Sequence, residues 1–180
     1  MMNYDHDMAF LFQKTLWSFV LKVFENKEMQ EACLLLEQRY ALDVNVFLFG
    51  CWAAKESLPA LTVDDIAVIL QKTIPWRVKV LEPLKRLRES LPKKRNTPAM
   101  IRLYQDAVRN EILAEQIEQS LIVQSVAKLD RTSRDETGDE MNVANSALGN
   151  IFTYLRYQNI TLHKNDLEKV YRIVKFCFEA

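Results

Sequence analysis

The chain has 180 residues, with 24 basic and 24 acidic side chains and 49% hydrophobic residues. That is the composition of one globular domain, and a chain this long buries roughly 70% of its unfolded surface without disulfides or metal. Three glycines (Gly50, Gly138, Gly149) and two distant histidines (His6, His163) exclude glycine-rich phosphate loops and a histidine-rich zinc site.

The first residues carry Asp5 and Asp7 where a secretion signal needs positive charge, and no small-residue cleavage site follows. No uncharged run, Val44 to Ala54 and the 15 residues 141–155 included, reaches the roughly 20 residues of a spanning helix. A cytoplasmic protein with no membrane segment is therefore expected. Helical spacing recurs almost everywhere, and strand-like alternation is nearly absent. A first helix is expected over 8–24, with Leu16, Phe19, Val20 and Val23 at intervals of three and four. A second is expected over 28–40, with Ala32, Leu35 and Leu36 on one side. Asp43 is a natural N-cap for a third, 44–55, which is apolar nearly all round and so belongs at the centre. Thr62 caps a fourth, with Asp64 and Asp65 in its first turn, ending near Thr73. Pro75 is expected to open a fifth helix running through Leu91 and kinked at Pro83. Residues 92–98 form a linker between two prolines, followed by a long helix over 99–129. The polar stretch 130–140 is expected to be a mobile loop, before two last helices over 142–158 and 165–178.

Cys33, Cys51 and Cys177 are odd in number and contain no Cys-x-x-Cys pair, so they describe no disulfide framework. Cys33 and Cys51 lie in apolar runs and are expected to pack as small hydrophobes.

Several motifs occur in order. They are Leu16-Trp17-x-Phe19, Glu31-Ala-Cys-Leu34-x-Leu36 and Asp43-Val44-Asn45-x-x-Leu48-Phe49-x-x-Trp52. Pro75-Trp76-Arg77-x-x-Val80-x-x-Pro83-Leu84 and Glu111-x-x-Ala114-Glu115-x-x-Glu118-Gln119 follow. The series resembles a family of small all-helical proteobacterial proteins without an established activity. The likeness spans about Leu16 to Leu121 and leaves the last third undistinguished. It implies a helical fold and a bacterial cytoplasmic origin, and it carries over no catalytic residue.

Four constellations bear on function. Glu111, Glu115 and Glu118 fall within about 60° of one another on the long helix. The main apolar stripe there (Leu103, Ala114, Ile117, Leu121) lies about 80–90° away, so the glutamates are expected to flank the core and pair with Arg or Lys of a neighbour. No Glu-x-x-His pair accompanies them, so no metal is expected. Asn45 shares a face with Phe49 and Trp52, and is expected to bond a neighbouring backbone. Trp76 is expected to plug the core, and Arg77 to pair with a carboxylate, the long-helix glutamates being the obvious candidates. Finally, 72–95 holds nine basic and two acidic residues, a local excess of seven in a neutral chain. Lys85, Arg88, Lys93, Lys94 and Arg95 could present that charge together.

The expected fold is all-α, one domain of about seven or eight helices around the apolar 44–55 helix. The leading functional reading is a non-enzymatic adaptor that uses the basic region on an acidic protein or polyanion. Nucleic acid is a further candidate, though no helix-turn-helix, stacking series or zinc motif supports it. The alternative is a small-ligand binder or enzyme with a pocket formed by Asn45, Trp76, Arg77, Glu111, Glu115 and Glu118. No catalytic residue, cofactor or metal is assigned. No nucleophile elbow exists to suggest one.

Overall fold

The computed structural model describes residues 4–94, 97–126 and 140–179, with side chains described from Thr15 and, after residue 126, from Asn142. Among these residues there is no strand. The helices are α1 (Tyr4–Glu25), α2 (Lys27–Tyr40), α3 (Val44–Lys55) and α4 (Val63–Trp76), then a π-helical turn (Arg77–Leu81). They continue as α5 (Glu82–Ser90), α6 (Pro98–Val126), α7 (Glu140–Tyr157) and α8 (Lys164–Glu179).

Caps account for most boundaries. The side chain of Asn26 accepts the amides of Glu28 and Met29 and so separates α1 from α2. Asp43 Oδ1 accepts Asn45 N at 2.9 Å and Val46 N at 3.3 Å, as the sequence predicts. Thr62 and Asp65 form a reciprocal capping box at the head of α4. Thr97, not the expected linker proline alone, starts α6. Its carbonyl accepts Ile101 N at 3.1 Å and its hydroxyl accepts Met100 N at 3.3 Å. Residues 92–94 are irregular, as expected of a linker. The expected mobile loop lies outside the described residues except for Glu140, which opens α7.

The central position of α3 follows from its composition. Every residue from Val46 to Ala54 is buried, and α1, α2, α6, α7 and α8 all pack against it. Its closest partner is α7. Gly50 permits that approach, because a Cβ there would stand 3.3 Å from Asn150 Cβ. Asn150 fastens the contact, donating to the Gly50 carbonyl at 3.0 Å and accepting Leu61 N at 2.8 Å.

Two expectations need correction. Pro75 does not open a helix; it lies inside α4, and the chain runs as one rod through the π turn into α5. The Pro75 ring faces solvent, where a missing amide costs least. Ahead of Pro83, the Glu82 amide donates to the Arg77 carbonyl, five residues back. The wide turn therefore shifts the hydrogen-bond ladder before the second proline, whose missing N–H would interrupt an α-type ladder.

The second correction concerns the face of α6. Leu103 is 51% exposed and Ile117 36%, whereas Glu118 and Gln119 are fully buried with Ala107, Ala114, Ile122 and Val123. Of the stripe read as core, Leu103 and Ile117 point outward, Leu121 is half-buried and Ala114 is buried as expected, while Glu118 on the glutamate side points inward. The reason is the neighbours: α6 packs on α5, whose Lys85 and Arg88 pair with Glu115 and Glu111, and on α3, whose Asn45 bonds Glu118 and Gln119.

Candidate functional site

The inward side of α6 meets a chain of charges assembled from five elements. On α5, Arg88 grips Glu111 with two bonds, Nε to Oε2 at 2.5 Å and Nη2 to Oε1 at 3.3 Å. Lys85 stands 3.6 Å from Glu115 and 3.8 Å from Glu37 on α2. In the π turn, Arg77 pairs with Glu37 through Nη2 and stands 2.7 Å from Asp43 Oδ2 through Nη1. Asp43 thus uses one oxygen to cap α3 and the other to hold Arg77. Its own amide donates to the Tyr154 hydroxyl at 2.7 Å.

At the inner end lies Asn45. Its amide nitrogen donates to Glu118 Oε2 at 2.6 Å, and its oxygen accepts from Gln119 Nε2 at 2.9 Å. It therefore bonds two side chains of α6 and not a backbone. Trp76, half-buried, donates from Nε1 to the Ala114 carbonyl at 2.9 Å. Arg77 does pair with carboxylates, but those of α2 and the α3 cap, not the glutamates of α6.

Glu118 has no exposed surface, and its Oε1 has no hydrogen-bond partner; the same holds for Gln119 Oε1. Burial first, then the neighbouring Asp43 carboxylate, pushes the Glu118 carboxyl up to about 8, against the pull of Arg77, Asn45 and Lys85. Burial likewise raises Glu115, opposed by Lys85 and reinforced by Glu111. Asn45, Arg77, Glu111, Glu115 and Glu118 thus take part in one chain of pairs with Asp43, Gln119 and Glu37, of which only Glu37 was not singled out by the sequence, while Trp76 reaches the α6 backbone beside it. Two of the expected basic residues, Lys85 and Arg88, belong to this same network. They neutralise α6 instead of facing outward. Among the described residues, no three of His, Cys, Asp or Glu stand close enough to hold a metal ion.

The outer side of the rod is different. Lys72, Lys79 and Arg86 are exposed at steps of seven residues. Ile74 (48%), Val78 (53%) and Leu87 (45%) are exposed on the same rod. Lys93 and Lys94 are exposed just beyond, and Arg95 lies outside the described residues.

The profile of a family described as protein of unknown function (DUF2390) matches residues 15–122. The chain belongs to the DUF2390 family. The DUF2390 match begins in α1 and ends in α6, and it contains every charged member of the network. Only the Tyr154 hydroxyl reaches in from outside it. No curated protein and no solved structure matches the chain. No described helix is long and apolar enough to cross a membrane.

Proposed function

We propose that the protein is a non-enzymatic adaptor of the bacterial cytoplasm that docks acidic partners on the outer side of the α4–π–α5 rod. The observation that supports this reading is the division of the basic region. Its inward members, Arg77, Lys85 and Arg88, are matched by carboxylates within 4 Å. Its outward members, Lys72, Lys79, Arg86, Lys93 and Lys94, are exposed cations in a chain of zero net charge, and Lys93 among them has an interaction of its own. Such a surface attracts acidic proteins or polyanions, and its reach shrinks as salt rises. The test is recovery of partners from native lysate at low salt, with wild type and with those five residues changed to Gln. Retention falls in the variant, and wild-type retention falls with salt. Identical partner lists at every salt concentration would sink the reading.

A small-ligand site at the inner network is the second reading. It is favoured by two buried oxygens without a partner, Glu118 Oε1 and Gln119 Oε1. With Glu118 protonated at neutral pH, a ligand hydroxyl or amine that accepts from the one and donates to the other would supply what they lack. Screening small amines and alcohols by thermal shift tests it. A hit must raise the melting temperature of wild type and not of Glu118→Gln.

A further inference from the structure

Going beyond both readings, we infer that Glu118 carries a proton on its carboxyl and donates it to Gln119, closing with Asn45 a ring of three side chains that latches α6 to α3 and opens when the proton leaves. Two sides of the ring are in place. Asn45 Nδ2 donates to Glu118 Oε2 at 2.6 Å, and Gln119 Nε2 donates to Asn45 Oδ1 at 2.9 Å. A carboxyl and two amides joined in this way leave one oxygen at each end. Those ends are Glu118 Oε1 and Gln119 Oε1, both buried and both without a partner. Closing the ring takes three donors at three junctions. With Glu118 ionised, the two amide nitrogens supply only two, because a carboxylate accepts and never donates. Turning either amide over moves the mismatch to another junction and does not remove it. One proton on the carboxyl supplies the third donor.

The surroundings favour that proton. Glu118 and Gln119 have no exposed surface. The Asp43 carboxylate at the head of α3 opposes ionisation, and Arg77 of the π turn and Lys85 of α5 favour it. Both cations are shared with other carboxylates, Arg77 with Glu37 and Asp43, Lys85 with Glu37 and Glu115. On α6 itself, Glu111 is held by Arg88. Tyr154 of α7 reaches the Asp43 amide. The described parts of α1 and α4 bring no further charge inward: Lys22, Glu25, Asp64 and Lys72 are exposed, and Asp65 is held in the capping box. Burial and Asp43 together push the carboxyl up to about 8. Losing the proton restores the mismatch and sets Glu118 against Asp43. The opened carboxyl has its ordinary affinity, so opening gains about tenfold per pH unit between about 4.5 and 8.

The experiment uses the full chain, dialysed free of small molecules. Wild type at pH 6 should show the infrared stretch of a protonated carboxyl that Glu118→Gln lacks, fading with a midpoint near 8. The side-chain amide resonances of Asn45 and Gln119 should shift with the same midpoint. Backbone hydrogen exchange over 119–123, corrected for its intrinsic rate, should speed about tenfold per pH unit up to that midpoint. In Glu118→Gln it should stay level, because a third amide supplies the missing donor at every pH. Thr73→Val removes another buried group without a partner and should change none of these signals. An ionised Glu118 at pH 6 would overturn the inference from wild type alone, whether or not any variant folds. So would a protonated Glu118 to which the Gln119 amide is indifferent, or one whose signal Thr73→Val abolishes. If the signals appear only after a small alcohol or amine is added, the ligand of the second reading stands and the direct ring falls.

Discussion

Glu118 sits at the inner end of the charge network with a single hydrogen bond, from Asn45. Its carboxyl, ordinarily near 4.5, titrates at about 8 in the folded chain because of burial and Asp43. The folded state therefore binds this proton more tightly than the unfolded state does. The resulting stabilisation is complete below about pH 4.5, declines as pH rises, and is gone above about 8. Glu118→Gln keeps the acceptor for Asn45 and removes the titration. Its urea midpoint should exceed that of wild type at pH 9 and show a flatter profile from pH 5 to 9. A parallel shift at every pH would refute the assignment. Asp166 has the opposite sign. Burial favours its neutral form, but hydrogen bonds from Tyr40, Lys169 and Arg39 more than offset that and hold it down at about 2. Its contribution is present above about pH 4 and is lost as pH falls toward 2. Because it ties α8 to α2, with Arg39 at 2.5 Å and Tyr40 at 2.8 Å, Asp166→Ala should cost roughly 2–3 kcal/mol at neutral pH by urea titration. Ala41 offers a gain: it ends α2 at φ 52, a left-handed conformation that glycine adopts without penalty. Ala41→Gly should stabilise by about 1 kcal/mol. The three cysteines are buried in the core where α2, α3 and α8 meet, and burial lifts Cys33 to about 12. They are packing groups, as their apolar sequence context predicts for Cys33 and Cys51.

At the scale of elements, α3 was fully legible. It is apolar on every side, and Asp43 marks its start. Phe49 and Trp52, buried with ring centroids 5.7 Å apart, should each cost about 3–5 kcal/mol when replaced by Ala. A variant melting within a degree or two of wild type would remove α3 from the centre. The inward face of α6 was legible in part. Glu111 and Glu115 were expected to flank the core and pair with a neighbour's cations, and they do so with Arg88 and Lys85; the full burial of Glu118 was not expected, because its partner Asn45 lies on a helix remote in sequence. The π turn was not read either, since one wide turn shifts the side-chain spacing by a single residue and leaves the composition unchanged. Pro75, readable as a helix start, is in fact an exposed interior residue. The π turn nonetheless sets the phase of everything after it.

For the whole molecule, three of the nine cations of the basic region, Arg77, Lys85 and Arg88, meet carboxylates of other elements, while five others are exposed. Inner and outer basic residues should therefore respond differently. Arg88→Ala strands Glu111, whose side chain is only 12% exposed, and should cost about 1–3 kcal/mol. Lys79→Ala should stay within about 0.5 kcal/mol, because exposed charges contribute little. Equal effects would mean that the inner pairs do not hold the rod to α6. The DUF2390 match ends within α6, so the α7 surface that covers α3 is supplied from beyond it. Asn150 follows Gly50 by 100 residues. A ribosome adding about 5–20 residues per second needs roughly 5–20 s to make that stretch. During synthesis the most apolar helix of the protein emerges well before its main cover. For those seconds, Phe47, Phe49 and Trp52 depend on whatever the early helices or a chaperone can offer, and the last helices to be made close the core.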